Sequence, residues 1–238
     1  MILKDRIKRA GSYKGANFFK ADTIAVIARG PSSIDAIKHK RDFYHCILCG
    51  EFNNTIERIQ EALLGKEIVI STWHHLRYKL SKENRSKYGI KNVQVPFYGN
   101  SDKFRDSKKF YKDLNVTPYT EEHRDIAYKV LGSSLYFATT GVGGIISALY
   151  FNPKKIMIFG IDFYYTGEGN KGVYLCKEKK DVNLDINSKN TINSIQRFRV
   201  KMINAINSVS RYYPDIELEM YTTFKGIVSK RNLKVNYV

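Results

Sequence analysis

Apolar positions along this chain change period repeatedly, and the changes mark out alternating strands and helices. The first 21 residues are basic and show little periodicity. From Thr23 the run TIAVIA (23–28) reads as a strand, and Pro31 to Lys38 reads as a helix. HCILC (45–49), EIVIS (67–71), NVQVPF (92–97), KIMIFG (155–160) and IELEMY (216–221) are further short runs of strand length. Between them lie helical patterns at 54–64, 72–83, 106–114, 119–131 and 140–151. Asn190 to Arg211 is the longest helix, with Ile192, Ile195, Phe198, Met202, Ile206 and Val209 on one face. Residues 216–221 are expected to close the sheet. The stretch 164–186 is polar, rich in Gly and Lys and aperiodic, a length that suits a lid.

Strands separated by helices must be joined by crossovers, so the expected fold is α/β, a doubly wound and mostly parallel sheet. There is no internal repeat and no low-complexity linker. The organisation read from the sequence is a basic leader over 1–21, one domain over 22–238, and a flexible lid at about 164–189 within it.

Composition narrows the function classes. At 238 residues and 43% hydrophobic content the chain can bury a substantial core. No apolar run approaches the roughly 18–20 residues that cross a bilayer, and the N-terminus lacks the apolar stretch of a secretory signal. A cytoplasmic setting is therefore expected. Forty Lys and Arg against 23 acids give a net charge of +17. Such an excess attracts polyanions, and peripheral contact with the anionic face of the inner membrane stays open. The basic residues are scattered, however, and no nucleic-acid-binding motif accompanies them, so nucleic acid is not the expected partner. Cys46 and Cys49 form a C-x-x-C, but inside an apolar strand and without a second ligand pair. Buried strand cysteines are the favoured reading, and no metal site is expected.

Ligands of doubly wound sheets sit beyond the carboxyl ends of the strands, so the residues leaving each strand carry the candidate chemistry. After the first strand come Ala28-Arg29-Gly30-Pro31-Ser32-Ser33. Gly30 permits close backbone approach, Pro31 suits a first helical position, and unpaired N–H groups can hold an anion with Arg29 beside them. Equally, a G-P-S turn is an ordinary helix start. Thr139-Thr140-Gly141-Val142-Gly143-Gly144 opens an apolar helix and offers hydroxyls and N–H groups to a carboxylate or phosphate. Its small residues also suit close packing of helix on sheet. Phe159-Gly160-Ile161-Asp162-Phe163-Tyr164-Tyr165 leaves the last long apolar strand. Asp162 and the tyrosines can bond a ligand there, or Asp162 can fix the loop backbone.

G-P-S after the first strand, T-T-G before a small-residue helix, G-I-D-F-Y at a strand end and S-K-N-T opening the next helix occur in that order. This set resembles the bacterial sialyltransferases of glycosyltransferase family 42, typified by the Campylobacter lipooligosaccharide α-2,3 and α-2,3/2,8 enzymes. The match runs thinly from about Thr23 to Tyr221. The resemblance implies a Rossmann-like domain with a lid, a CMP-sugar donor of the sialic-acid type, a glycan acceptor, and neither metal nor cofactor. It places Tyr164 on a tyrosine that supports the departing phosphate, and Tyr174 on the second tyrosine of the lid. Thr140 and Gly141 fall on the turn that holds the donor carboxylate, and Gly30, Pro31 and Ser32 on the turn beside the nucleotide.

Several positions depart from that pattern. The family's histidine base precedes S-K-N-T, where this chain has Asn187. An amide does not accept a proton at neutral pH. Arg29 stands where an asparagine precedes G-P-S, Gly50 where another follows the second strand, and an apolar residue near Phe137 where the family has arginine. His74 and His75 follow the third strand, and His75 is the replacement base of choice. Three readings stand at this point: a transferase with a rearranged site, a degenerate member that binds a nucleotide or glycan without turnover, and a polyanion-binding protein. The first is favoured. Oligomeric state is not legible from the sequence.

Overall fold

The computed structural model describes residues 22–50, 53–72, 81–96, 101–132, 139–163 and 189–238, with side chains omitted at 189–192 and 194. The expected leader at 1–21 and the expected lid, but for its last residue, lie outside the described residues. Among the described residues eight strands form one sheet: β1 (Thr23–Ile27), β2 (His45–Cys49), β3 (Glu67–Ser71), β4 (Asn92–Val95), β5 (Asn115–Pro118), β6 (Lys155–Phe159), β7 (Glu217–Thr222) and β8 (Leu233–Tyr237). Their order is β5-β4-β3-β2-β1-β6-β7-β8. Every pairing is parallel, with β1 taking β2 on one side and β6 on the other.

Parallel sheets are covered on both faces, which explains why the inner strands are nearly continuous apolar runs. β1, β2, β3 and β6 each open on a partly exposed polar residue, Thr23, His45, Glu67 or Lys155, followed by four buried residues. One face is covered by the 3-10 helix Pro31–Ile37 and by α1 (Asn53–Arg58), α2 (Gln60–Leu63), α3 (Lys82–Lys87) and α4 (Asp102–Phe110). The other face carries α5 (Glu121–Leu131), α6 (Thr140–Tyr150) and α7 (Lys189–Tyr212). In α6 every residue from Gly141 to Leu149 is buried. A Cβ on Gly144 would stand 2.3 Å from Cys49 Sγ and 3.0 Å from Val26 Cγ1, so this glycine lets the helix lie directly on β1 and β2.

Cys46 and Cys49 are free and buried in β2. Three positions apart on a strand, they point to opposite faces and cannot share a metal. Burial pushes the Cys46 thiol up to about 12 and Cys49 further in the same direction. Both behave as small apolar residues.

The structure corrects five expectations. The segment after β1 is a 3-10 helix, and the helix expected at 54–64 is broken at Ile59 into α1 and α2. No element is expected at 115–118, between two helical patterns, yet β5 lies there: it is four residues long and ends in Pro118, which an edge strand tolerates because one side needs no ladder bonds. The sheet does not close at 216–221, because β8 lies outside β7. The fifth correction concerns α7, where Met202, Ile206 and Val209 are buried but Phe198 is 38% exposed. At 24 residues α7 is roughly 36 Å long, about twice the length of the strands it covers, so its first half overhangs their carboxyl ends.

Among the described residues no helix is long and apolar enough to cross a membrane.

Candidate functional site

The direction of chain travel reverses at β1: β2 to β5 build outward on one side, β6 to β8 on the other. Loops leaving β1 and β6 therefore part to opposite faces, and this switch point is where doubly wound sheets open a crevice. Three of the segments singled out in the sequence converge on it. Gly30 N donates to Gly160 O at 2.8 Å, continuing the pairing of β1 with β6 beyond the strand ends. Gly141, in the first turn of α6, lies against Ile161, 3.0 Å from its Cδ1, and against Ala28, 3.8 Å from its Cβ, both measured from the glycine's Cβ position. Arg29, Ser32 and Asp162 are buried around this point, while Pro31 and Thr140 are partly exposed.

Asp162 is the organising group. Its Oδ2 accepts from Ser32 N and Ser32 Oγ, each at 2.9 Å. Its Oδ1 accepts from Thr223 N at 2.7 Å and from the hydroxyls of Thr223 and Thr222 at 3.1 and 3.2 Å. Ser32 Oγ in turn accepts from Gly160 N at 2.9 Å. The anion that the structure seats on the G-P-S turn is thus the chain's own carboxylate, and of the two readings for Asp162 the loop-fixing one describes these bonds. The N–H groups expected to cradle a phosphate there are engaged: Ser32 N by Asp162, and Ser33 N by Gly30 O at 3.0 Å.

Gly30 is required by space and not by conformation, since its φ is −63°. A Cβ at this position would fall 2.2 Å from Asp162 Oδ2 and 2.5 Å from Gly160 O. Gly30→Ala is accordingly expected to destabilise the fold by about 1–3 kcal/mol, the usual range for overpacking. Urea denaturation reads this directly. A midpoint equal to that of the parent would mean that the turn and Asp162 part at no cost.

At the mouth of α6, Thr139 caps the helix, its hydroxyl accepting from Val142 N at 3.4 Å and its carbonyl from Gly143 N at 2.9 Å. The N–H groups of Thr140 and Gly141 lie in the first turn, where no carbonyl precedes them in the helix. Deeper in, Tyr119 OH is buried against Gly143 O (3.2 Å), Ser147 Oγ (2.9 Å) and Ser71 Oγ (3.3 Å), and burial raises its pKa. This network ties α6 to the carboxyl end of β3.

Two groups at the site were not foreseen. Thr222 and Thr223 leave β7 and hold Asp162; they obey the same strand-end rule that picked out β1 and β6, applied one strand further. Arg199, on the overhanging half of α7, donates from Nε to Phe163 O at 3.0 Å and lies 5.4 Å from the centre of the Phe224 ring. Nothing in its sequence neighbourhood distinguishes it from other surface arginines. Phe163 has φ +54°, a left-handed conformation rare for an aromatic residue, and is buried beside Phe224 with ring centres 5.0 Å apart. Such a strained residue, held by packing, occurs most often at functional sites. Tyr164, Tyr174, Asn187 and His75 lie outside the described residues, as do His74 and Phe137.

No protein-family model matches the chain, and no curated protein matches it. Solved structures do. The monofunctional α-2,3-sialyltransferase Cst-I of Campylobacter jejuni superposes with a TM-score of 0.54 at 16% identity, over 90% of this chain and 80% of that one. The sialyltransferase CstII of the same organism, in complex with cytidine 5'-monophosphate, gives 0.53 at 17% identity over 90% and 84%. CstII in complex with the substrate analogue CMP-3FNeuAc gives 0.51 at 15% identity over 91% and 89%. At such identities the likeness is one of architecture: this chain is similar in fold to the Campylobacter sialyltransferases.

Proposed function

We propose that this chain binds a CMP-activated sugar of the sialic-acid type beyond the carboxyl ends of β1 and β6, and transfers the sugar to a glycan hydroxyl without metal or cofactor. The observation that carries the reading is the convergence of Ala28–Ser33, Thr139–Gly144 and Phe159–Phe163, far apart in sequence, on the switch point of the sheet. The fold shared with enzymes solved with CMP and with a CMP-sugar analogue supports the choice of nucleotide. In the reaction an acceptor oxygen bonds to the anomeric carbon, the bond from that carbon to the phosphate oxygen breaks, and CMP departs with the electron pair. The first-turn amides at Thr140 and Gly141 suit the donor carboxylate, and Tyr164, next in sequence after the strained Phe163, suits the departing phosphate. His75 is the base proposed to take the acceptor proton, in place of the residue at 187.

A thermal-shift panel of CMP, UMP, GDP and CMP-sialic acid tests the binding half of this reading. The cytidine ligands alone are expected to raise the midpoint; at a hundredfold excess over Kd the added stability is about 2.7 kcal/mol. Absence of a shift with every nucleotide at saturating concentrations would remove the nucleotide-binding reading. For the chemical half, Tyr164→Phe deletes one hydroxyl, and a donor to developing charge contributes roughly 10²-fold in kcat. An unchanged kcat in this variant would place the support of the leaving group elsewhere.

A second reading is favoured by Asn187: a protein that holds the nucleotide sugar without turning it over. It predicts the same thermal shifts with no release of CMP.

A further inference from the structure

We propose a second binding site at the other end of the molecule, a groove for an acidic oligosaccharide between the last turns of α5 and α7. Both helices start at the carboxyl ends of the strands and run toward the amino ends, so their C-termini lie on the side of the sheet opposite the switch point. There a groove of about 690 Å³ opens between Gly132, the C-cap of α5, the face of α7 and the turn at Lys230. That volume lies within the roughly 300–1,000 Å³ of ligand pockets. The groove does not depend on the nucleotide-binding reading, since none of its residues belongs to the switch point.

The lining is mixed, Val130, Leu131 and Tyr212 supplying apolar surface beside a stripe of polar and cationic groups. Asn204, Asn207, Ser208 and Arg211 follow the spacing i, i+3, i+4, i+7, so one stripe of α7 presents two amides, a hydroxyl and a guanidinium to the groove. The opposite side of the same turns, with Met202, Ala205, Ile206 and Val209, is packed into the core and fixes the stripe in place. Lys129 and Lys230 bring two further cations, and among the described residues no carboxylate lines the groove. Lys129 and Arg211 sit in last turns, where they offset the negative ends of α5 and α7. Each helix end amounts to only about half a charge, and Lys230 lies on a turn away from both, so a positive excess remains. Arg211 stacks over the Tyr212 ring at 4.4 Å, which holds the guanidinium at the rim.

Charge alone selects an anion; the amides select further. Each asparagine offers two donors and an acceptor, and each serine both roles, whereas a bare sulfate only accepts and a bare phosphate at neutral pH accepts far more than it donates. Groups that accept as well as donate are satisfied by hydroxyls. A ligand that brings hydroxyls and negative charge together is a saccharide bearing carboxylate or phosphate groups.

The test uses the full chain and isothermal calorimetry. Trigalacturonate and mannose 6-phosphate are the carboxylated and phosphorylated probes, maltotriose and tripolyphosphate the controls for hydroxyls and for charge alone. At least one acidic sugar is expected to bind more tightly than either control, and the one that does identifies the acid group. Arg211→Gln with Lys230→Gln is expected to weaken it roughly tenfold, while Lys108→Gln with Lys109→Gln, on α4, leaves it unchanged. Asn204→Ala with Asn207→Ala is expected to weaken the acidic sugar and to spare tripolyphosphate. Circular dichroism and the thermal midpoint confirm that each variant is folded. Equal losses from the α4 and groove variants, tripolyphosphate or maltotriose binding as tightly as the acidic sugars, or no heat with any probe would each overturn the proposal.

Discussion

Acidification from about pH 6.5 to pH 3 should cost this protein up to roughly 5 kcal/mol through a single histidine. His123 is 1% exposed, and burial lowers its pKa from 6.5 to about 3. It stacks between the rings of Tyr119 and Tyr150, with centres 4.6 and 3.8 Å away. Its Nδ1 accepts from Thr120 N at 3.1 Å and lies 2.9 Å from the Thr120 hydroxyl, completing the capping box of α5. With Nδ1 accepting, the proton of the neutral ring is assigned to Nε2. The structure sets Gln94 Nε2 2.8 Å from it and leaves Gln94 Oε1 buried without a partner, so the amide is assigned the reverse way round, with its oxygen toward His123. A proton added at Nδ1 would confront the Thr120 N–H and break the cap. The sign follows: below pH 6.5 the unfolded chain binds a proton that the folded chain refuses, so stability is complete above 6.5 and declines as pH falls toward 3.

Glu219 acts in the same direction in a lower window. Burial alone would push its carboxyl up, but bonds from Lys155, Lys234 and Tyr221 and the charge of Lys155 outweigh that and hold it at about 2. Lys155 lies at 2.6 Å and Lys234 at 2.8 Å. This contribution is present above pH 4.5 and lost as pH falls to about 2. Urea denaturation at a series of pH values separates the two groups. His123→Gln should flatten the slope of stability between pH 6.5 and 4.5 and leave the decline below 4.5 in place. Its absolute stability is not the readout, because the ring stacking is lost as well. A slope equal to that of the parent would mean that His123 takes a proton in the folded state at no cost.

What the sequence revealed and what it concealed have physical reasons. The inner strands were legible because a sheet buried on both faces needs unbroken apolar runs, and Thr23–Ile27, Glu67–Ser71 and Lys155–Phe159 have them. The edge strands were not. β5 carries Asn115, Thr117 and Pro118, and β8 reads Leu-Lys-Val-Asn-Tyr, because each is bonded to a neighbour on one side only. The outer side of β8 is instead met by its own preceding turn, Lys230 bridging to Leu233 and Ser229 Oγ accepting from Val235 N at 2.9 Å. Such self-covering blunts an open edge and leaves no apolar signature. The overhang of α7 was hidden for a related reason: periodicity gives the apolar face of a helix but not the length of the sheet beneath it.

At the site, the strand-end rule picked out the loops after β1 and β6 and left Asp162 open between bonding a ligand and fixing its own loop. A carboxylate leaving a strand looks the same in sequence whether it awaits a ligand or binds its own turns. Its partners Thr222 and Thr223 decide between the two, and only the fold brings them within reach. Gly30 is a position of close approach within the chain itself, met by Gly160 and Asp162.

Asn187→His is expected to create or to raise sugar transfer by about 10²–10⁴-fold, the range of general-base catalysis. The prediction rests on the sequence, where Asn187 stands before S-K-N-T in the position that the resemblance gives to a histidine. An imidazole with a pKa near 6.5 takes a proton from an acceptor hydroxyl at neutral pH, and an amide does not. Transfer and CMP release from CMP-sialic acid are to be measured for the natural chain and for the variant, alongside donor binding by thermal shift. Release only from the variant would identify a serviceable donor site that lacks its base, and so a binding protein in its natural form. Release from the natural chain, abolished by His75→Ala, would show that the base now follows β3. If both chains bind the donor and stay inert, Arg29, Gly50 and the apolar residue near 137 limit the reaction more than the base does. If neither binds it, the fold persists here without the chemistry, and the transferase reading fails together with the binding one.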